Sequence, residues 1–318
     1  MKIVLWAKGK RGVTSLRCLH GAGHDIVLVI GPSAEDQRDC AEPIAIAESL
    51  NIRSLVPDNP NDDRLARRLR SLEPDLFILA GFSRILKQRI IDIPARMCIN
   101  LHGGKLPKYR GSSPLNWALI NGETSCTLSI VKVDAGIDTG DVLLERTFDI
   151  AVDDTIRDLH RIADEHFPPM LLEVVGGLHA GTLNSMPQSH SQSCYYSLRF
   201  PDDGLILWDL YTAEQIHNRV RALTEPYPCA FTFADGRRIK LLASKLQRLD
   251  HFGEPGRVYR KAGRGLLICA LDKCLWITKA VFDDTGEPIF DSINRYDVLA
   301  TVRRSVQALQ EARSLQWS

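Results

Sequence analysis

Two short stretches of the 318-residue chain carry the residue types best suited to chemistry. Asn100 and His102 stand two positions apart in an apolar segment, so in a strand a neutral amide and a titratable imidazole project from the same face. The stretch 134–141 follows another strand-like segment and holds three aspartates among glycines. A carboxylate from it could orient the imidazole and favour its charged form, while the amide donates to an oxygen that gains charge. Together these groups predict an acyl-transfer site.

Each of these features also has a purely structural explanation. An Asn-x-His pair can serve strand-end hydrogen bonding, and an acidic loop with glycines can be a solvated turn. The loop Lys105–Gly111, rich in Gly, Pro and cations, follows His102 closely. A loop that only stabilises the surface rarely needs so many residues with special backbone geometry. The co-occurrence of the three stretches therefore favours a functional site.

Alternating apolar and amphipathic segments predict the elements that position this site. Strands are expected over Lys2–Ala7, Asp25–Ile30, Leu76–Ala80, Cys98–Leu101, Cys126–Val133 and Val142–Thr147. Helices are expected near residues 14–22, 41–50 and 61–72, over Pro114–Asn121, and from about Asp154 to Val175. This βαβ order predicts an α/β fold with a Rossmann-like, mostly parallel sheet, which binds ligands at the carboxyl ends of its strands.

The second half of the chain has a different pattern, which begins after the linker-like composition of Gly176–Ser193. A helix is expected over Thr212–Leu223, and a closing helix over Arg295–Arg313. Short strands are expected over Ala230–Ala234, Ile239–Ala243, Gly256–Tyr259, Leu266–Ala270 and Leu275–Lys279. We therefore expect an α/β domain over 1–182, a linker over 183–204, and a small, OB-like β-barrel domain with a terminal helix over 205–318.

Composition and charge exclude several classes of protein. The chain has 40 Lys+Arg and 39 Asp+Glu, so it has no overall field that would hold a polyanion. Its apolar runs are far shorter than the roughly 20 residues of a membrane helix. The eight cysteines form no CxxC pair and have no metal-ligand spacing, so we expect mostly reduced core thiols and no metal. No secretory signal pattern precedes the first strand, so a cytoplasmic location is expected.

The motifs around His102 resemble those of a known family. Residues 100–103 are Asn-Leu-His-Gly, residues 106–111 are Leu-Pro-Lys-Tyr-Arg-Gly, and residues 134–141 are Asp-x-Gly-x-Asp-Thr-Gly-Asp. This combination is similar to the signature of the 10-formyltetrahydrofolate-dependent formyltransferases. The similarity continues through the segment 82–86 upstream and through 208–228 downstream. It therefore covers nearly the whole chain and both expected domains.

The resemblance implies a catalytic trio of Asn100, His102 and Asp138. Asn100 and protonated His102 would stabilise the oxyanion that forms when a neutral amine attacks a formyl carbon, and Asp138 would keep the imidazole charged. Whether His102, Asp138 or water takes the amine proton stays open. The resemblance also implies N10-formyltetrahydrofolate as co-substrate, without a metal. The residues implied for its pterin cleft are Phe82, Arg84, Ile85, Leu86, Val133, Asp134 and Gly136.

Within this family, residues 102–117 are most similar to enzymes that formylate an amino sugar on a nucleotide carrier. The methionyl-tRNA enzymes usually carry serine at the position of Gly104. The loop after their second strand holds a basic insertion, whereas Gly31–Gln37 is short and not basic. The region 205–318 has a small positive surplus, 17 Lys+Arg against 13 Asp+Glu. Part of that surplus lies in Arg237, Arg238 and Lys240.

The expected acceptor is therefore the amine of a nucleotide-linked amino sugar, and a nucleic acid partner is not expected. Methionyl-tRNA is the first alternative, and the amine of a siderophore or peptide precursor is the next. A folate- or nucleotide-binding module without catalysis is disfavoured, because all three residues of the trio are present. By analogy with the family, the chain could form a homodimer, and no membrane partner is expected.

Candidate contacts for a nucleotide sugar come from two places. After the first strand, Lys8, Lys10 and Arg11 precede a helix, where cations and backbone N–H groups could hold a diphosphate. Solvated surface cations are the structural alternative. Three further candidates, which could flank the sugar or the base, are Tyr109, Arg110 and Trp117. Each of these side chains could equally pack under its own loop.

Overall fold

The first half of the chain forms strands and helices in alternation. The computed structural model describes residues 1–32 and 37–305, with only the backbone of 37–40. The strands are β1 (Lys2–Ala7), β2 (Asp25–Ile30), β3 (Ser54–Leu55), β4 (Leu76–Ala80), β5 (Met97–His102), β6 (Arg110–Gly111), β7 (Ser125–Lys132) and β8 (Val142–Asp149). The helices are α1 (Gly9–Gly21), α2 (Gln37–Ser49), α3 (Asp63–Ser71), α4 (Gln88–Ile91), α5 (Pro114–Ile120) and α6 (Ile156–Ala180).

Seven of these strands form one sheet with the order β3-β2-β1-β4-β5-β7-β8. The first five run parallel, and β7 and β8 are antiparallel to their neighbours. The solidly apolar sequences of β1 and β4 are explained by burial, because all five residues of β4 are buried. On one face, Trp6, Phe77 and Leu69 of α3 belong to a single buried cluster.

The C-terminal part of the chain forms a second, antiparallel sheet. Its strands are β10 (Ala230–Ala234), β11 (Arg237–Lys245), β12 (Val258–Ala262), β13 (Gly265–Cys269) and β14 (Cys274–Phe282), in the order β10-β11-β14-β13-β12. Helix α7 (Ala213–Leu223) precedes them and begins with a capping box formed by Thr212 and Gln215. The predicted fold class, a mostly parallel α/β sheet followed by a small β domain, is confirmed.

Contacts within the chain group its residues into two units. The first comprises Met1–Pro114, Ser125–Asp149 and His160–Ser197. The second comprises Leu115–Thr124, Ile150–Leu159 and the described residues from Leu198 on. Residues 183–197 of the expected linker therefore pack with the first unit, where β9 (Tyr195–Tyr196) pairs with β6.

Two local predictions are wrong. The linker-like segment does not start at Gly176, because α6 continues to Ala180. A glycine in a helix interior costs about 1 kcal/mol relative to alanine, and the burial of Val174, Val175 and Leu178 offsets it. The closing helix does not start at Arg295, because residues 295–300 are turn and extended backbone. Residues 302–305 are helical, and the remainder of that prediction lies outside the described residues.

The cysteines also differ from the expectation in one respect. Cys269 and Cys274, at the facing ends of β13 and β14, form a disulfide. Cys98, Cys126 and Cys229, which form no disulfide, are buried, as expected for core thiols. Burial raises the pKa of the Cys98 and Cys229 thiols, which keeps both protonated at neutral pH.

Candidate active site

Strand β5 carries Asn100 and His102 on one face, as their spacing predicts. Asn100 pairs with Leu79 of β4 on one side and with Val131 of β7 on the other. His102 pairs with Ser129 of β7 and is 5% exposed. The backbone of both residues is therefore fixed by neighbouring strands before any side-chain contact is made.

The loop that follows β7 supplies the carboxylate. Because β7 is antiparallel to β5, the loop leaves the sheet beside Cys98, where the Val133 amide donates to the Cys98 carbonyl at 2.8 Å. The Lys132 amide donates to the Asp141 carbonyl at 2.9 Å and closes the loop. A Cβ atom at position 140 would lie 2.0 Å from the Lys132 carbonyl oxygen, so only glycine permits this closure.

Asp134 stabilises the same loop from within. Its carboxylate accepts hydrogen bonds from the Gly136 amide, at 3.0 Å, and from the Thr139 hydroxyl. Asp138 has a φ of 52°, a left-handed conformation that is uncommon outside glycine. This conformation turns the Asp138 side chain back toward β5.

Asp138 is the centre of the candidate site. Its Oδ2 lies 3.6 Å from Nδ1 of His102 and accepts a hydrogen bond from the Gly111 amide at 3.0 Å. Its Oδ1 accepts a longer hydrogen bond, 3.4 Å, from the Asn100 amide. The structure thus brings together the amide, the imidazole and the carboxylate that the two stretches of sequence contribute.

The second nitrogen of His102 faces the backbone. Nε2 lies 2.6 Å from the carbonyl oxygen of Tyr109. A carbonyl only accepts hydrogen bonds, so Nε2 carries a proton in either charge state of the ring. Proton exchange is therefore left to Nδ1, which faces the Asp138 carboxylate. The Asp138 carboxylate can therefore orient the imidazole through Nδ1.

Two of the expected substrate contacts lie under the loop rather than on its surface. Tyr109 is 4% exposed, and its ring stacks on Tyr196 with centroids 4.9 Å apart. Arg110 is 1% exposed. Its guanidinium donates to Gln188 Oε1 at 3.1 and 2.8 Å, and to the hydroxyl of Tyr195 at 3.0 Å. Both side chains therefore pack under their own loop, which is the alternative to substrate contact that the sequence left open.

The cations after β1 are separated by the start of α1. Lys8 Nζ lies 3.5 Å from the hydroxyl of Ser83, in the loop after β4. Lys10 Nζ lies 4.0 Å from Asp164 of α6, and the Arg11 guanidinium stacks 5.0 Å from the Phe167 ring. Lys8 therefore contacts the segment after β4, whereas Lys10 and Arg11 contact side chains of α6.

Trp117 belongs to the second unit, on α5. The guanidinium of Arg199 stacks over its ring at 4.9 Å. The two residues line a pocket of about 300 Å³ within that unit, together with Tyr211 and Arg219. The structure therefore places Trp117 in a unit other than that of the Asn100, His102 and Asp138 side chains.

The expected pterin segment follows β4, the neighbour of β5. Phe82 contacts Trp6 edge to face at 5.0 Å, and Leu86 is buried in the same cluster, against which Val133 also packs. The Ile85 side chain is 72% exposed, while its carbonyl accepts a hydrogen bond from Asn61 at 2.9 Å. Arg84 is half-buried. The segment thus has a fixed apolar base beside the strand that carries Asn100.

Gln188 is a residue of this site that the sequence did not indicate. It lies in the stretch whose composition resembles a linker, and its amide donates to the carbonyls of Asp138, at 2.9 Å, and Gly140, at 2.6 Å. No spacing or motif in the sequence connects it with position 138. The pairing of β9 with β6 and the antiparallel bridge between Met186 and Val142 bring the stretch to the loop.

Comparison with known proteins identifies the family. Residues 1–175 match the model of the formyl transferase family, and residues 200–286 match its C-terminal domain. A methionyl-tRNA formyltransferase of Geobacter sulfurreducens is 34% identical over 84% of this chain and 85% of its own length. The chain belongs to the formyl transferase family. The resemblance seen in its sequence motifs is confirmed.

Other relatives of this formyltransferase have different acceptors in their names. A methionyl-tRNA formyltransferase of Acetivibrio thermocellus is 32% identical over 90% of this chain and 93% of its own. An N-formyltransferase from Helicobacter canadensis, solved with folinic acid and dTDP-3-aminofucose, has a TM-score of 0.68 at 20% identity. That comparison covers 87% of this chain and 98% of the other. At this identity it shows a shared fold.

The formyltransferase is an enzyme that uses formyltetrahydrofolate as its formyl donor. In the part of the chain that the structure describes, no group of three or more His, Cys, Asp or Glu side chains could hold a metal ion. None of the helices within 1–32 and 37–305 is long and apolar enough to cross a bilayer.

Proposed function

We propose that Asn100, His102 and Asp138 catalyse formyl transfer from N10-formyltetrahydrofolate to an amine. The observation that carries this proposal is the convergence of the two other side chains on Asp138, with His102 Nδ1 at 3.6 Å and Asn100 Nδ2 at 3.4 Å. The three polar groups meet at the end of β5, where His102 is buried and Asn100 and Asp138 are half-buried. Such a set can orient an imidazole and offer a donor to a developing negative charge.

The residues of the trio have separate tasks in this proposal. The Asn100 amide donates a hydrogen bond to the formyl oxygen as it gains charge, and His102 Nδ1 takes the proton that the attacking amine loses. Asp138 stabilises the resulting imidazolium. The new C–N bond forms to the acceptor, the old one to N10 breaks, and N10 regains a proton, for which protonated His102 is the source within the trio.

The segment after β4 and the loop after β7 are proposed to hold the pterin. Phe82, Leu86 and Val133 would give this cleft a fixed apolar base, and Arg84 and the exposed Ile85 would border it. Asp134 and Gly136 would contribute through the loop's backbone, since the Asp134 carboxylate already accepts two hydrogen bonds within the loop. Lys8, beside Ser83, is the cation of the first strand end nearest to this segment.

We propose methionyl-tRNA as the acceptor, in place of the amino sugar that the sequence motifs favoured. The relatives named methionyl-tRNA formyltransferases, 31–34% identical over most of this chain, support it. The second unit adds an independent observation. Six cations, here called the basic strip, lie on or next to edge strand β12 and in the neighbouring segment 295–304: Arg257, Arg260, Lys261, Arg264, Arg295 and Arg304.

The basic strip differs in its ion pairing from Arg237, Arg238 and Lys240, the cations named in the sequence analysis. Arg237 pairs with Asp284 at 3.0 Å, Arg238 pairs with Asp283 at 3.3 Å, and Lys240 pairs with Asp283 as well. Among the described residues, no carboxylate forms an ion pair with a cation of the strip. Arg257, Lys261 and Arg304 donate to backbone carbonyls instead. Cations of the basic strip that form no ion pair with a carboxylate can bind the phosphate backbone of a nucleic acid.

A nucleotide-linked amino sugar remains the second candidate, because of Gly104. A Cβ atom at this position would lie 2.9 Å from His102 Nε2 and 2.8 Å from the Pro114 Cβ. The serine usual in methionyl-tRNA enzymes would therefore require a shift beside the imidazole. The short, non-basic sequence of residues 31–37 points in the same direction.

The two acceptors can be separated by assay of the purified enzyme with N10-formyltetrahydrofolate. We expect formylation of methionyl-tRNA, with KM rising steeply with salt, and little transfer to a panel of dTDP- and UDP-linked amino sugars. Arg260→Gln should raise KM for tRNA and lower the salt slope by about 1, whereas Arg237→Gln, the matched control, should not. Transfer to a nucleotide sugar alone, unchanged in both variants, would establish the second candidate. His102→Ala with full single-turnover activity would overturn the proposed trio.

A further inference from the structure

The amide of Gln188 connects a buried guanidinium to the loop that carries Asp138. On one side, Gln188 Oε1 accepts hydrogen bonds from Nε and Nη2 of Arg110 at 3.1 and 2.8 Å. On the other side, Nε2 donates to the carbonyls of Asp138 and Gly140 at 2.9 and 2.6 Å. All four bonds lie within the first unit.

The orientation of this amide is determined by its neighbours. A guanidinium only donates hydrogen bonds and a carbonyl only accepts them, so the oxygen of Gln188 must face Arg110 and its nitrogen must face the loop. Arg110 is itself held by Tyr195 and by Nδ1 of His190, at 3.0 and 3.2 Å. Gln188 therefore transmits a fixed position from Arg110 to the loop.

Asp138 needs such support because of its backbone conformation. A left-handed φ costs a residue with a side chain roughly 1–2 kcal/mol and persists when its surroundings determine it. Gly111, the neighbour of Arg110, holds the Asp138 carboxylate, and Gln188 holds its carbonyl. Without the second contact, the peptide after Asp138 can rotate and move the carboxylate away from Nδ1 of His102.

We infer that Gln188 is a positioning residue for Asp138, acting through its two N–H groups. The inference rests on the proposed function of the trio. It gives a role in catalysis to one residue of the stretch 183–197, whose composition predicts a linker. Gln188 itself does not touch His102 or Asn100, so its effect should fall on kcat rather than on KM.

Two substitutions separate positioning from simple burial of Arg110. Gln188→Glu keeps the acceptor for Arg110 and replaces both N–H donors by an oxygen that faces two carbonyls. Gln188→Leu removes both ends of the contact. Tyr195→Phe is the matched control, because it removes a hydrogen bond of the same guanidinium without touching the loop. Steady-state kinetics and thermal unfolding would be measured for all three, with Asp138→Asn as the reference.

We expect kcat to fall at least tenfold in both Gln188 variants with KM within about twofold, since small misplacements of a reacting group cost up to about 10²-fold. Tyr195→Phe should keep kcat. Full activity of Gln188→Glu would overturn the inference, because Arg110 would then be the only partner that matters. Full activity of Asp138→Asn would overturn the trio instead, so the two failures are distinguishable. If Gln188→Leu does not fold, Gln188→Glu still decides.

A second inference concerns the pocket of the C-terminal unit, which has a volume of about 300 Å³. Two guanidinium groups line it, each stacked on an aromatic ring: Arg199 on Trp117 at 4.9 Å, and Arg219 on Tyr211 at 4.0 Å. Stacking through the face immobilises a guanidinium and leaves its N–H edge available to an anion.

The hydrogen bonding of Arg199 is incomplete. Its Nη2 donates to the Asp203 carbonyl at 2.8 Å, while its Nε is buried and has no hydrogen-bond partner among the described residues. Burial lowers the pKa of Arg199, and Arg219 acts in the same direction. The Asp203 carboxylate accepts from the Phe200 amide at 2.7 Å, and Asp202 is exposed at the rim. An anion between the two arginines would stabilise both charges.

The geometry points to a phosphate-ester site formed by Arg199 and Arg219. The shared chemistry could come from a free diphosphate or from an RNA phosphate, and binding to inorganic pyrophosphate and to a short 5′-phosphorylated RNA distinguishes these sources. We expect saturable calorimetric binding of at least one probe, with Kd of about 1 mM or lower. Arg199→Gln and Arg219→Gln should each weaken it about tenfold, and Arg237→Gln should not. No saturable binding, or equal affinity in all variants, would overturn the assignment.

Discussion

Two segments of the first unit contain the same ingredients, glycine and charge, but use them differently. They are the loop after β1, by which we mean residues 8–11 including the first turn of α1, and the loop after β7, residues 133–141. After β1, Lys10 and Arg11 turn toward α6, where they meet Asp164 and Phe167. After β7, the loop 133–141 turns its one inward carboxylate toward groups of β5. The first loop uses its charges for packing and the second directs one at reactive groups.

The difference lies in the partners that distant parts of the chain provide. The loop after β1 packs on a helix that supplies a carboxylate and an aromatic ring for its cations. The loop after β7 is held by Gln188 and Gly111, and Asp138 still faces both His102 and Asn100. A motif of suitable residue types is therefore not yet a site, because its neighbours decide which charges remain available for chemistry.

The largest effect should come from the loop after β7. Asp138→Asn keeps the size of the side chain and removes the charge that stabilises imidazolium at His102. We expect kcat to fall on the order of 10³-fold or more, by analogy with the loss of an orienting carboxylate in other triads, with unchanged thermal stability. Single-turnover formyl transfer measures this. A loss below tenfold would remove the contrast between the two loops.

Asn100→Ala should have the next largest effect. Removal of one donor to a developing oxyanion costs about 10²–10³ in rate. Asn100 is half-buried, and within 1–32 and 37–305 its side chain makes only the 3.4 Å bond to Asp138, so the fold should persist. Comparison of kcat with the near-ultraviolet circular dichroism of the variant separates the two effects. Loss of the folded spectrum would indicate that Asn100 has a structural task.

Helix α6, on which the loop after β1 packs, should affect stability rather than rate. Burial, with a smaller contribution from Arg11, lowers the pKa of His160 on α6 to about 4. The unfolded chain binds this proton below about pH 6.5 and the folded chain only near pH 4. The free energy of unfolding therefore decreases as the pH is lowered through this window, by up to about 3 kcal/mol.

Urea unfolding of the wild type and His160→Gln, at about pH 7 and about pH 5, measures this difference. The variant should lose less stability on acidification. Asp164 acts in the opposite direction, because burial raises the pKa of its carboxyl above 3.8. Its contribution to stability is present below its unfolded pKa and is lost as pH rises. Equal acid sensitivity of the two proteins would show that His160 does not carry the effect.

The smallest effect is expected for Lys10→Ala. Its amino group is exposed and 4.0 Å from Asp164, and such surface pairs contribute about 0–1 kcal/mol. We expect kcat/KM for the acceptor to change less than twofold. An increase in acceptor KM of tenfold or more would restore the diphosphate cradle that the sequence suggested and would make the two loops functionally alike.

The features of this molecule that depend on local sequence pattern could be predicted from the sequence. Apolar runs located β1, β2 and β4, and the period-two spacing correctly predicted that Asn100 and His102 share a face. The motif resemblance predicted that Asp138, rather than Asp134 or Asp141, approaches them. These features follow from strand geometry and from the residue types themselves.

Features that depend on long-range pairing could not be predicted in this way. Arg110 is buried because Gln188, Tyr195 and His190 surround it, and those residues come from a stretch with the composition of a linker. The ion pairs that neutralise Arg237 and Lys240 come from Asp283 and Asp284, on the turn after β14. Neither set of contacts leaves a periodic signal in the sequence.

The closure of the loop after β7 restricts its length as strictly as its composition. The backbone leaves β7 after Lys132, with Val133 still bonded to Cys98 of β5, and returns at Asp141, whose carbonyl accepts from Lys132. The residues between must therefore reach back to the level of Asn100. Deleting one residue between Asp134 and Asp138 would shorten that reach by about 3.3 Å. A homologue with a single gap here could retain the amide, the imidazole and the acid and still be unable to join them.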